Sequence, residues 1–185
     1  MSFSWRTRIN LKFSELTYDV PKDKESKRIL KGVSGRFLSG QISAILGPSG
    51  AGKTTLMNIL AGHKKMKISG EILVNGKPRC LKSFQKQSCY IMQDEHLLKY
   101  LTVQESMDAA AALKIGKSCQ DLSVKSTIDE ILSALGLEET KDTRVSNLSG
   151  GERKRLSIAF EFLSKPPIMF LDEPTRCDMK FFICI

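Results

Sequence analysis

Apolar and polar residues alternate over Arg8 to Phe13 (RINLKF), the period of a strand, and Leu16 to Val20 extends the pattern. Pro21 to Arg28 is dense in charge and reads as a connection too polar to pack. Ile29 to Phe37 and Gln41 to Leu46 read as further strands, parted by Ser39-Gly40. The second is nearly all apolar, which predicts a strand buried on both faces of a sheet. Lys53 to Ala61 has helical spacing, with Leu56, Ile59 and Leu60 on one side and Gly62 as its stop. Gly70 to Val74 and Cys89 to Met92 are strand-like again, and Asn75-Gly76 ends the first in a hairpin turn.

The centre changes character. Thr102-Val103-Gln104-Glu105 is a capping box that opens a helix through about Leu113, and a second helix covers about Ser126 to Leu135, stopped by Gly136. No convincing strand lies in this stretch, so it reads as a helical insert in an α/β domain. From Ser149 a helix runs to about Leu163, Pro166-Pro167 breaks it, and Ile168 to Leu171 is a buried strand. No internal repeat or low-complexity tract interrupts the order.

At 185 residues the chain has the size of one domain with a real core. Its 41% hydrophobic and 26% charged content are those of an ordinary soluble globule. No apolar run approaches the ~20 residues of a spanning helix, and no secretory leader opens the chain. Cys80, Cys89, Cys119, Cys177 and Cys184 form no C-x-x-C pair and suit reduced thiols in cytosol. His63 and His96 lack metal-ligand spacing and read as loop or surface residues. The net charge of +9 gathers at Lys22 to Lys31, Lys64 to Lys67 and Arg153 to Arg155. Such patches suit a solvated surface, nucleic acid or an anionic leaflet. Without aromatic residues among the lysines, no nucleic-acid partner is expected.

Gly47, Pro48, Ser49, Gly50, Ala51, Gly52, Lys53 and Thr54 fit G-x-x-x-x-G-K-[ST], a phosphate-binding loop. Its glycines let backbone N–H groups turn toward phosphate oxygens, and the helix that follows aims its positive end at the same anion. Lys53 then reaches the β- and γ-phosphates, and the Thr54 hydroxyl ligates Mg²⁺. The apolar strand Ile168 to Leu171 delivers Asp172 and Glu173 at its C-terminal end, where parallel sheets bind ligands. Asp172 is placed to hold Mg²⁺ through its water shell, and Glu173 to take a proton from the attacking water.

Ser149-Gly150-Gly151-Glu152 is a capping box, and its two glycines bare N–H groups that an outside anion can reach. One site cannot easily use both glycine-rich loops on one γ-phosphate. The economical arrangement is a head-to-tail pair, each chain's Ser149 loop closing on its partner's nucleotide.

These residues resemble the nucleotide-binding domain of ATP-binding cassette (ABC) transporters. The wording is similar to subfamily G, the White and sterol-exporter class: GPSGAGKTTLMNILAG at Gly47 to Gly62, CYIMQDEHLL at Cys89 to Leu98, LTVQESM at Leu101 to Met107 and LSGGERKR at Leu148 to Arg155. The resemblance covers about Leu11 to Thr175. It implies a P-loop α/β cassette with a parallel-sheet core, an antiparallel β subdomain and a helical insert at about 100–148. It implies ATP with Mg²⁺ bound by the loop through Thr54 and Thr55, and a γ-phosphate contact from a partner's Ser149, Gly150 and Gly151. Gln93 becomes the Q-loop glutamine that contacts Mg²⁺ and signals to the membrane domain, and Tyr18 falls near the aromatic that stacks on adenine. The implied protein is an ATPase paired with a second cassette, itself or another half-transporter, on the cytoplasmic face of a membrane. It would power export of lipid or sterol-like substrates.

The cassette wording stops within 1–178, and the tail 179–185 resembles nothing in the family. Where the family has a Ser-Gly-Leu-Asp D-loop this chain reads Arg176-Cys177-Asp178-Met179, and no switch histidine follows. The transmembrane domain is absent as well, as a truncation, retained intron or splice variant would leave it. The alternative reading is therefore a cassette that binds nucleotide or a partner half-transporter without efficient hydrolysis. A soluble ABC ATPase acting on DNA or ribosomes would suit the charge, but no sustained heptads and no second cassette accompany it.

Overall fold

The computed structural model describes residues 8–22, 25–63, 68–92, 97–116, 122–172 and 181–184. Strands β1 (Leu11–Lys22) and β2 (Glu25–Phe37) form a long antiparallel hairpin, paired from Leu11↔Phe37 to Lys22↔Glu25. Of the expected polar connection Pro21 to Arg28, residues 21–22 and 25–28 are thus part of the ladder, a correction with a simple cause. Backbone pairing needs no apolar side chains where an arm meets water, and here Arg28 donates two hydrogen bonds to Asp19, of 2.9 and 3.2 Å. On the far side of β1 lies β4 (Ile68–Val74), followed by β5 (Lys77–Pro78), giving the order β2-β1-β4-β5.

Two local devices fix this sheet. Asn75 and Gly76 both take positive φ, 51° and 78°, the backbone of a tight hairpin turn whose twist matches the strands. Nearer the other end of β4 the β1–β4 ladder breaks between Ser14 and Thr17. There Gly70 has φ of 99°, and a Cβ on it would stand 2.5 Å from the Glu15 carbonyl oxygen. Only glycine lets β4 approach the bulge so closely.

The second sheet contains β3 (Ile42–Ala44), β6 (Ser88–Ile91), β7 (Ile168–Asp172) and β8 (Phe181–Cys184), in the order β3-β8-β7-β6. β6 and β7 are parallel, while β8 runs antiparallel to β7 and to β3. Hence β3, β7 and β6 share one direction and β8 opposes it, so the expected parallel core is mixed. The apolar stretch Gln41 to Leu46 also departs from expectation. Its strand is three residues long at the edge of the sheet, with Ile42 74% and Leu46 64% exposed. A strand with one neighbour cannot be buried as a central strand is. That neighbour comes from the tail, which had no expected place in the fold.

Helices α1 (Lys53–Ala61) and α2 (Leu81–Gln87) accompany these sheets. One hydrophobic cluster joins Leu11, Phe13 and Leu16 of β1, Leu56, Met57, Ile59, Leu60 and Ala61 of α1, Phe84 of α2, and Ile168 and Phe170 of β7. Side chains of the following segment bond carbonyls at the end and cap of α1. Arg79 donates to Ile59 O at 2.8 Å and to Leu60 O at 2.6 Å, and Gln85 donates to Gly62 O at 2.6 Å. Burial lowers the pKa of the Arg79 guanidinium, which lies 5.6 Å from the Phe84 ring centroid.

Gln93–Pro166 forms its own compact unit, apart from the sheets and helices above. It holds α3 (Val103–Ile115), α4 (Leu122–Ala134) and α5 (Gly150–Phe162) around a core of Val103, Met107, Ile128, Leu132, Leu156 and Ala159. Lys114 joins α3 to Glu161 of α5 at 2.6 Å. Among the described residues no helix is long and apolar enough to cross a membrane.

Candidate nucleotide site

The loop Gly47 to Gly52 lies between β3 and α1, as its sequence predicts. Gly47, Pro48, Ser49, Gly50 and Ala51 are all exposed, and the Ala51 N–H closes a turn on Pro48 O at 3.2 Å. Gly52 takes φ of 88°, and a Cβ there would meet Leu30 at 3.1 Å and Ile29 at 3.2 Å. The loop can therefore enter α1 tightly only through a glycine.

The helix it feeds has no side-chain cap and no acidic residue in its first turn. Its leading N–H groups and the positive end of its dipole are left for an external anion. Lys53 curls back so that its ammonium donates to Gly47 O at 2.8 Å and Pro48 O at 2.7 Å. That places a cation inside the curve of the loop. Thr54 is exposed and Thr55 half-buried on the next two positions.

Asp172 ends β7, half-buried, and accepts a hydrogen bond from the Tyr90 hydroxyl at 3.2 Å. Burial first, and then the charge of Asp172, push the Tyr90 phenol far above its ordinary pKa, so it stays a donor. The imidazole of His63 stacks on the same ring, 4.7 Å between centroids and 11° between planes. Sequence reasoning passed over Tyr90, although a hydroxyl within an apolar strand is a cue that some partner must be found for it. Tyr18 pairs with Leu30 across β1 and β2 and packs on the core cluster, while Leu30 faces Gly52. The hairpin thus brings the expected aromatic to strands that border the loop.

The donors fit a small hard cation. Thr54 and Asp172 offer a hydroxyl and a carboxylate, oxygen donors of the kind Mg²⁺ takes, and Mg²⁺ needs only one or two carboxylates beside phosphate and water. No group of three or more His, Cys, Asp or Glu residues capable of holding a metal occurs among the described residues. Gln93 and Glu173 lie outside the described residues.

Ser149 stands before α5 with its hydroxyl accepting from Glu152 N at 3.3 Å, while its own N–H donates to the Glu152 carboxylate at 2.7 Å. These bonds to Ser149 hold the Glu152 carboxyl below its ordinary pKa. The capping box is real, and it leaves Gly150 and Gly151 to present the remaining N–H groups. Arg153 folds onto Leu148 O at 2.6 Å, and the Arg155 guanidinium lies 3.5 Å from the point where a Cβ on Gly151 would stand.

Residues 30–176 match the family described as ABC transporter. The chain belongs to that family. It is 41% identical over 172 residues to ABC transporter G family member 13 of Arabidopsis thaliana, covering 88% of this chain and 25% of that protein. It is 37% identical over 178 residues to the broad substrate specificity ATP-binding cassette transporter ABCG2 of Rattus norvegicus, covering 89% and 27%. With ABC transporter G family member 22 of Dictyostelium discoideum the identity is 38% over 184 residues, covering 93% and 30%. Among solved structures, cbiO1 of Clostridium perfringens, part of the ABC transporter complex cbiONQ, matches with TM-score 0.75 and 30% identity, covering 89% of this chain and 65% of that one. The likeness to subfamily G and the P-loop cassette fold therefore both hold. The chain spans less than a third of the length of these curated relatives.

Proposed function

We propose that this chain is the nucleotide-binding cassette of a subfamily G half-transporter, binding ATP with Mg²⁺ and hydrolysing it. The observation that carries the reading is the N-terminus of α1. There an exposed glycine loop, an inward-turned Lys53 and a helix end without cap or acid meet at one point. Gly47 to Gly52 cradle the phosphates with backbone N–H groups, Lys53 carries the positive charge, and Thr54 and Thr55 complete the contacts. Tyr18 stacks on the base. Thr54 and Asp172, with Gln93, would hold Mg²⁺, which when bound would supply positive charge against the phosphates. Glu173 accepts the proton of the water that adds to the γ-phosphorus as the bond to ADP breaks.

Ser149, Gly150 and Gly151 serve the nucleotide of a second cassette, so the working unit is a homo- or heterodimer on the cytoplasmic face of a membrane. Residues 1–178 act as one cassette with its helical insert. The work is export of lipid or sterol-like substrates by a transmembrane domain, a reading supported by the subfamily wording at Gly47 to Gly62 and Cys89 to Leu98. No nucleic acid is involved.

A second reading is favoured by β8. After Thr175 the wording leaves the family pattern, and Phe181–Cys184 run antiparallel to both neighbours. On this reading the chain binds nucleotide, or a partner half-transporter, and hydrolyses slowly.

Steady-state phosphate release by the chain beside its Glu173→Gln form separates the two. The first reading expects turnover that the variant abolishes while ATP binding persists, because the amide keeps shape but takes no proton. The second expects binding with both proteins at the same background. Turnover retained in Glu173→Gln would move the general base elsewhere.

A further inference from the structure

We propose that Tyr90 is a positioning residue for the metal-binding carboxylate: its hydroxyl, 3.2 Å from Asp172 Oδ2, fixes the rotamer in which Asp172 meets Mg²⁺. This rests on the reading of Asp172 as a metal-side carboxylate. The strand register makes the contact possible. β6 lies parallel beside β7 with Tyr90 opposite Phe170, so Tyr90, Phe170 and Asp172 project from one face of the sheet. Asp172 is two residues further along, about 7 Å at the rise of a strand, and the length of a tyrosine ring leaning along the strand covers that gap.

The ring is itself held. His63 stacks on it nearly flat, and His63 is placed by the cap of α1, where its N–H donates to Asn58 O at 3.1 Å. A continuous path thus runs from the end of α1 through His63 and Tyr90 to Asp172. Asp172 is the last residue of β7 and half-buried, and the Tyr90 hydroxyl reaches its carboxylate from the neighbouring strand. A carboxylate allowed to swing must be ordered when the cation arrives, and that entropy is subtracted from binding. Tyr90 touches no phosphate or water on this account and acts only through Asp172.

The test measures the ATP dissociation constant of the full chain in Mg²⁺ and in EDTA, and takes the ratio as the Mg²⁺-dependent gain. Tyr90→Phe keeps the ring and its stack but removes the hydroxyl. It is expected to lower the gain about three- to tenfold, the ordinary net worth of one hydrogen bond, while the EDTA constant stays put. Asp172→Asn should lower the gain further, and Tyr90→Phe added to Asp172→Asn should change nothing more. A merely structural tyrosine would move the EDTA constant too. Should Tyr90→Phe give no soluble protein, His63→Ala loosens the ring from its exposed side and is expected to lower the gain about twofold. An unchanged gain in whichever of these variants is read overturns the proposal, as does a further loss in the double variant. An unchanged gain in Asp172→Asn overturns the metal reading of Asp172 and this proposal with it.

Discussion

Helices α1 and α5 both begin at a glycine-rich stretch, and their N-termini are built in opposite ways. At α1 the residue before the helix is Gly52, with no side-chain cap and no acid in the first turn. At α5 it is Ser149, locked into a reciprocal box with Glu152. The first end is open and carries an inward-turned lysine. The second has spent one N–H on its own serine and set a carboxylate beside the rest. An anion approaching the end of α1 meets no acid in the helix's first turn, whereas one approaching α5 must share the helix end with Glu152. So the two loops are not interchangeable phosphate sites. On the proposed function the α1 loop serves the chain's own nucleotide, and the α5 loop one already held and neutralised by another cassette.

Substitutions at the two helix ends should separate them, beginning with the strongest. Gly52→Ala puts a side chain at φ of 88° against Leu30 at 3.1 Å. It should destabilise the fold by about 1–3 kcal/mol in denaturant melts and weaken ATP binding, because the loop entry is strained. Ser149→Ala removes the cap of α5 and should cost about 1 kcal/mol of stability while leaving ATP affinity of the isolated chain unchanged. An affinity loss in that variant would show the α5 loop contributing to the chain's own nucleotide.

The smallest effect belongs to Glu152→Gln and depends on pH. The Glu152 carboxyl is held low in the folded state, so its contribution is present above the ordinary glutamate pKa and fades as pH falls through the lowered value. Melting temperatures of the native and variant chains should differ slightly near neutrality and converge in acid. A gap that widened in acid would contradict the capping geometry.

Much of this contrast was legible locally. The boxes at Thr102–Glu105 and Ser149–Glu152, the stop at Gly62 and the turn at Asn75-Gly76 each depend on residues a few positions apart, and each forms. What required the fold was pairing at long range. The polar arms at residues 21–22 and 25–28 become strand because β1 and β2 pair as far as Lys22↔Glu25, and Gln41 to Leu46 loses its expected burial because β3 is an edge strand. α2 went unread because Phe84 is its one buried side chain, too little to mark a face. The Tyr90–Asp172 bond joins residues on neighbouring strands and has no local trace. The loop lies between β3 and α1 and Asp172 ends β7, where the sequence puts them, while their roles, like those of Gln93 and Glu173, are proposals.

The claim that one chain carries one competent phosphate site is tested most directly by ATP titration of the native chain, Lys53→Ala and Ser149→Ala at concentrations where the chain is monomeric. Lys53→Ala should lose tenfold or more in affinity, about 1.4 kcal/mol, while Ser149→Ala titrates as the native chain does. Equal curves for the native chain and Lys53→Ala, or equal losses in the two variants, would contradict the account.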